Sequence, residues 1–121
     1  MQVNDDTAPQ RYQIRSYQPG RILINEIWHT SPVMIHENQL ISPWPVSPVA
    51  TLTVNHLILL DEPLDIILLG TGEKFINCDP LLRHACYERK IALEAMDTRS
   101  ACGTYLILTS ENRRVAAALF L

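Results

Sequence analysis

Residues 64–69, Leu-Asp-Ile-Ile-Leu-Leu, make an almost unbroken apolar run between Pro63 and Gly70. A run this short and this apolar predicts a strand covered on both faces, inside a sheet with a layer on either side. The residues after it constrain the fold further. Asp79 is placed to accept N–H groups of a helical first turn, and Pro80 loses no hydrogen bond at the first helical position. Leu81, Leu82, Ala85 and Cys86 then recur at helical spacing, so a helix is expected to about Lys90. Residues 91–96, Ile-Ala-Leu-Glu-Ala-Met, read as a second strand. Strand, helix, strand in so short a stretch predicts a βαβ unit with parallel strands and a right-handed crossover. The closing Arg-Val-Ala-Ala-Ala-Leu-Phe-Leu is an apolar strand of small residues that belongs well inside a sheet.

The first half reads differently. Tyr12, Ile14 and Ser16 alternate with Gln13 and Arg15, and Ile22, Ile24 and Trp28 continue the period of two after Pro19-Gly20. Two strands about a Pro-Gly turn predict a hairpin over residues 10–28. Residues 32–41 are a further extended candidate. The segment Ser-Pro-Trp-Pro-Val-Ser-Pro, 42–48, cannot be helical and is expected to cross the surface irregularly. Residues 51–60 and 100–110 fit either a strand or a helix, since strand-favouring residues also fall at helical spacing (Leu52, His56, Leu60; Ala101, Tyr105, Leu108).

Composition excludes several classes. The 121 residues suit one domain, 1–121, with residues 1–9 expected to be a flexible tail. A 47 % apolar content supports a core, and a net charge of −3 argues against nucleic-acid binding. No apolar run is long enough to cross a bilayer, and the polar, acidic start lacks the pattern of a signal peptide. Three cysteines form no disulfide framework and read as free thiols of a reducing cytoplasm.

Candidate chemistry gathers where the two parallel strands are expected to end. Gly70-Thr71-Gly72 follows the first, but no third glycine and no immediate helix start follow, so a dinucleotide loop is not expected. A P-loop is excluded because no Gly-Lys-Ser/Thr follows. The glycines are expected to turn the backbone out of the sheet. Asp97 and Thr98 follow the second strand and are candidate helix caps. Together with Thr71 and first-turn N–H groups they also define a small polar notch at the carboxyl ends of the strands, where a small anion or substrate would sit. Cys102, in the helix that would follow, is a candidate nucleophile or a buried, inert thiol. Cys78, His84 and Cys86 match no zinc spacing, and on a helix His84 and Cys86 would point about 200° apart. No metal or cofactor is expected. Trp44, stiffened by two flanking prolines, is either a lid on the domain's own core or an anchor for a partner. No catalytic set stands out.

Three stretches, Ile-Leu-Leu-Gly-Thr-Gly-Glu-Lys with a following Phe75, Ile91–Tyr105 and Glu111–Leu121, stand in order along the chain. Taken together they resemble a small bacterial family of unknown function. That family shares its domain with the MTH-domain proteins of animals, among them a mitochondrial assembly factor for respiratory complex I and an adipogenesis-associated protein. The resemblance spans roughly residues 10–121. It implies a three-layer α/β domain with a mixed central sheet, an added N-terminal β-hairpin and two main helices beside it, and it makes helices of both ambiguous segments. It implies no established catalysis, and it suggests an interaction or assembly-type protein with a protein partner. The family pattern falls on Gly70, Gly72, Asp97, Thr98, Ala101, Thr104 and Tyr105. This sequence departs from it at Gly103, where a basic residue is usual, and at Leu106, where asparagine is usual. A glycine inside a helix also costs about 1 kcal/mol relative to alanine.

Overall fold

Alternation of side chains across one central sheet accounts for both apolar strands. In the computed structural model, which describes residues 12–46 and 48–121, the order is β1 (Ile14–Gln18), β2 (Arg21–Ile24), β3 (Ile27–His29), β4 (Val33–His36), β5 (Gln39–Ile41), a 3₁₀ turn at Val49–Thr51, α1 (Val54–Leu57), β6 (Ile66–Thr71), α2 (Pro80–Glu88), β7 (Ala92–Met96), α3 (Thr98–Ser110) and β8 (Val115–Phe120). The expected tail at 1–9 lies outside the described residues. The central sheet has the order β5-β4-β8-β6-β7, with β6 parallel to β7 and β8, and β4 antiparallel to β8 and β5. It is a mixed sheet, as the resemblance implied.

Each central strand feeds two cores. Leu68, Val115, Ala117, Leu119, Val33 and Ile35 face a layer made of the hairpin and α3. Ile67, Leu69, Ala116, Ala118 and Met34 face the opposite layer, where Trp44, Leu57, Leu82 and Cys86 pack. Apolar residues from Ile66 to Leu69 in β6 and at every position of β8 are what strands buried on both faces require. The small alanines of β8 sit between two covered faces at the middle of the sheet.

The N-terminal hairpin is a three-stranded antiparallel sheet, β1-β2-β3. Residues 21–28 are not one strand as the period of two suggested. Asn25 takes a positive φ of 53° and turns the chain into β3, and its Oδ1 accepts the Gln13 N–H at 2.9 Å. The alternation in β1 also breaks. A register shift between Ile14 and Ser16 moves the inward position from Ser16 to Tyr17, which is buried.

Asp79 caps α2 by accepting the Leu81 N–H at 2.9 Å, with Pro80 in the first turn. The helix ends at Glu88, and Lys90 enters the left-handed region before β7. Residues 98–110 are the long helix α3. The other ambiguous segment is corrected: only Val54–Leu57 is helical, a single turn, and the chain from 58 to 65 carries no helix. The capping box of Thr53 and His56 starts that turn, but the apolar residues after it face two ways, with Ile58 and Leu59 exposed and Leu60 against the core.

Candidate functional site

β6 and β7 are parallel neighbours, so the chain leaves both at the same edge of the sheet, as the notch requires. β6 ends later than expected, whereas β7 ends at Met96 as expected. β6 runs to Thr71, which places Gly70 inside the strand rather than in a turn. Gly70 is there because α3 comes close: a Cβ at this position would stand 2.8 Å from Thr98 Oγ1 and 3.1 Å from Thr98 Cα. Gly72 is the turn residue, with φ at +102°.

The polar groups of the notch are occupied by one another. Gly72 N–H donates to Thr98 Oγ1 at 2.8 Å, and Thr98 N–H donates back to the Gly72 carbonyl at 2.8 Å. Thr98 Oγ1 donates its own proton to the Phe120 carbonyl at 2.6 Å. One fully buried hydroxyl therefore ties the ends of β6 and β8 to the start of α3. Thr71 closes the loop that follows: its Oγ1 donates to the Lys74 carbonyl at 2.7 Å and accepts the Ile76 N–H at 3.0 Å. These bonds leave Gly70-Thr71-Gly72 no free N–H cluster of the kind that cradles a phosphate.

Asp97 is the cap of α3. Its Oδ1 accepts the Ser100 N–H at 2.9 Å and its Oδ2 accepts the Ser100 hydroxyl at 2.8 Å. These hydrogen bonds from Ser100 hold its carboxyl below the usual carboxylate range. The anion favoured at this helix N-terminus is the protein's own carboxylate. Cys102 lies one turn further along, buried, and burial pushes its thiol up to about 12. A reactive cysteine needs the opposite shift. Thr104 donates to Met96 Sδ at 3.6 Å. Tyr105 faces away from the notch into the core between the hairpin and the sheet. The structure thus brings Gly70, Thr71, Gly72, Asp97 and Thr98 together, with Cys102 and Thr104 behind them, and sends Tyr105 elsewhere.

Trp44 is inside the core, 1 % exposed. Its indole N–H donates to the His56 carbonyl at 2.9 Å, and its ring lies 5.4 Å from Phe120. It closes the second core as a lid. Large apolar side chains do reach solvent elsewhere: Phe75 and Ile76 in the loop after β6, at 52 % and 47 % exposed, and Leu81 in the first turn of α2, at 75 %.

Sequence reasoning missed the long-range polar ties. Arg83 donates to the Leu93 carbonyl at 2.8 Å, and Arg114 makes two hydrogen bonds to Asp65, at 3.0 and 2.7 Å. Only the pairing of β6 with β8 and the packing of α2 on β7 bring these residues together, so no local pattern announces them. Among the described residues no group of three histidine, cysteine, aspartate or glutamate side chains is placed to hold a metal ion, and no helix is long and apolar enough to cross a membrane.

Comparison with known proteins places the chain. The family model described as a protein of unknown function (DUF498/DUF598) matches residues 14–120. A Xenopus tropicalis protein named NADH dehydrogenase (ubiquinone) 1 alpha subcomplex assembly factor 3 is 25 % identical over 130 residues, covering 95 % of this chain and 71 % of its own length. The Danio rerio protein of the same name is 31 % identical over 109 residues, covering 88 % of this chain and 62 % of its own. A Bordetella pertussis protein whose solution structure is described as a Mth938-like domain is 26 % identical, with a TM-score of 0.76 over 99 % of this chain and 92 % of that one.

Proposed function

The chain belongs to this family of proteins of unknown function (DUF498/DUF598), and on that premise we propose that it works as an assembly-factor-like module that binds another polypeptide and catalyses nothing itself. Likeness to the assembly factors over most of the chain supports the reading. The geometry of the notch carries it: the groups best placed for chemistry are consumed in holding α3 to the sheet. Fold alone would not decide the matter.

The partner surface in this proposal is the loop between β6 and α2. Phe75, Ile76 and Leu81 expose large apolar area close together along the chain, and such exposure marks interaction sites more often than it serves folding. The loop beneath them is held by Thr71, so the side chains are presented from a fixed base. We propose a cytoplasmic location, which the three free cysteines support.

Affinity capture of the tagged protein from its own cells, after chemical cross-linking, tests the reading. The expected result is a recurrent partner that is lost from a Phe75→Ser/Ile76→Ser variant whose melting temperature matches the parent. Turnover of a small molecule by the purified protein, abolished by Asp97→Ala and Cys102→Ser without loss of stability, would contradict it.

A further inference from the structure

Two polar side chains lining one groove, Arg15 and Tyr105, make no hydrogen bond among the described residues. The groove lies between β1 and the C-terminal half of α3, has a volume of about 710 Å³, and is lined by Gln13, Ile14 and Arg15 on one side and Tyr105, Leu106 and Asn112 on the other. That volume falls in the range of small-molecule sites, roughly 300–1,000 Å³.

Tyr105 forms the floor. The residue is 1 % exposed, and its buried hydroxyl has no hydrogen-bond partner among the described residues. A buried donor without an acceptor lowers stability, and natural proteins keep few of them. Arg15 forms the rim. It stands at the register shift between Ile14 and Ser16, an irregularity of the kind that re-aims a side chain next to a site. Its guanidinium has no ion pair among the described residues, whereas Arg114 is paired with Asp65. Glu37 also lines the groove, where its charge acts on Tyr105, and it is engaged in an interaction of its own. Two unused donors therefore face one groove whose walls carry the apolar side chains of Ile14 and Leu106.

We propose that this groove binds a small organic acid, with its carboxylate between the Arg15 guanidinium and the Tyr105 hydroxyl and its apolar body against Ile14 and Leu106. An unpaired arginine suits a carboxylate in charge and in its forked geometry. The Tyr105 hydroxyl lies just beneath the groove surface, so the ligand oxygen reaches it by parting the side chains above. The inference is independent of the partner surface at the β6–α2 loop.

The test is a titration of the isotope-labelled protein with 4-phenylbutyrate, followed by NMR, with 4-phenylbutyramide and a short glutamate-containing peptide with blocked ends as comparison arms. The expected result is saturable shifts confined to residues 12–15 and 105–112, with affinity at least about tenfold weaker for the uncharged amide and for the peptide. Arg15→Gln and Tyr105→Phe are each expected to weaken 4-phenylbutyrate by about tenfold or more. Tyr105→Phe is also expected to raise the melting temperature of the unliganded protein, since it removes the unpaired hydroxyl. The proposal is overturned by the absence of saturable shifts, by equal binding of the amide, or by tighter binding of the peptide. A melting temperature lowered by Tyr105→Phe overturns it as well, because the hydroxyl is then already satisfied by internal water.

Discussion

Gly72 and Thr98 exchange two hydrogen bonds, each 2.8 Å long, across the edge of the central sheet. Thr98 passes the connection on to the Phe120 carbonyl at 2.6 Å. The first residue of α3 thereby fixes the helix to two strands at once. The same arrangement uses up the groups that would otherwise offer a ligand a place.

Removing the hydroxyl should therefore be costly. Thr98→Val keeps the shape but leaves the buried Gly72 N–H and Phe120 carbonyl without a partner. A loss of about 2 kcal/mol or more is expected, at roughly 1–3 kcal/mol for each unsatisfied group, when measured by urea unfolding. Thr98→Ser keeps both bonds and gives up one methyl, so about 1 kcal/mol is expected.

The glycines separate by mechanism. Gly70→Ala puts a Cβ 2.8 Å from Leu119 Cδ2 and 3.1 Å from the Thr98 backbone, and backbone cannot move aside cheaply. About 1–3 kcal/mol of destabilisation is expected, in line with overpacked cores. At Gly103 an added Cβ meets nothing within 4 Å, and the residue sits mid-helix. Gly103→Ala should stabilise by up to about 1 kcal/mol. Thermal unfolding of the two variants beside the parent should move in opposite directions.

Asp97 predicts a pH effect of definite sign. Its carboxyl titrates lower in the folded protein than in the unfolded chain, because Ser100 hydrogen-bonds the charged form. The folded state then holds fewer protons than the unfolded one between the two values. Its contribution is complete above the unfolded value, about 3.9, and is lost as pH falls through the lower folded value. Asp97→Ala should lower stability by about 1 kcal/mol at neutral pH, the ordinary worth of an N-cap, and should flatten the acid limb of the stability curve. Unfolding curves collected from neutral pH down to acid check both.

Cys78, Cys86 and Cys102 are all free and buried, and burial raises the thiols of Cys86 and Cys102. A disulfide-exchange reagent should reach them only through opening, so under strongly native conditions labelling should be slower than that of an exposed thiol by the fraction of molecules open, and should rise in proportion to reagent concentration. A cysteine that reacts at the rate of an exposed thiol would contradict the burial.

The sequence shows the central sheet more clearly than its surroundings. β6 and β8 could be read because a strand buried on both faces has no polar face to confuse the pattern. The caps at Asp79 and Asp97 were equally legible, since capping is local chemistry. Residues 51–60 were not, because one helical turn and an irregular chain leave no period to read. Asn25 and the register shift at Arg15 break the hairpin through backbone geometry that a period of two cannot signal. At the notch, the residues and the cap at Asp97 were found, but the bonds that Thr98 makes were not. Which acceptor Thr98 meets depends on how β8 lies beside β6, and the Thr98 side chain reaches a residue 22 positions away in the chain.

The most direct test of a closed sheet edge is native-state amide hydrogen exchange at Gly72 and Thr98. Both amides should exchange as slowly as those of β6 and β8, through global unfolding only, and should not change on addition of inorganic phosphate or a mononucleotide. Fast exchange at Gly72, or protection that appears only when phosphate or nucleotide is added, would show an open site there and contradict the account.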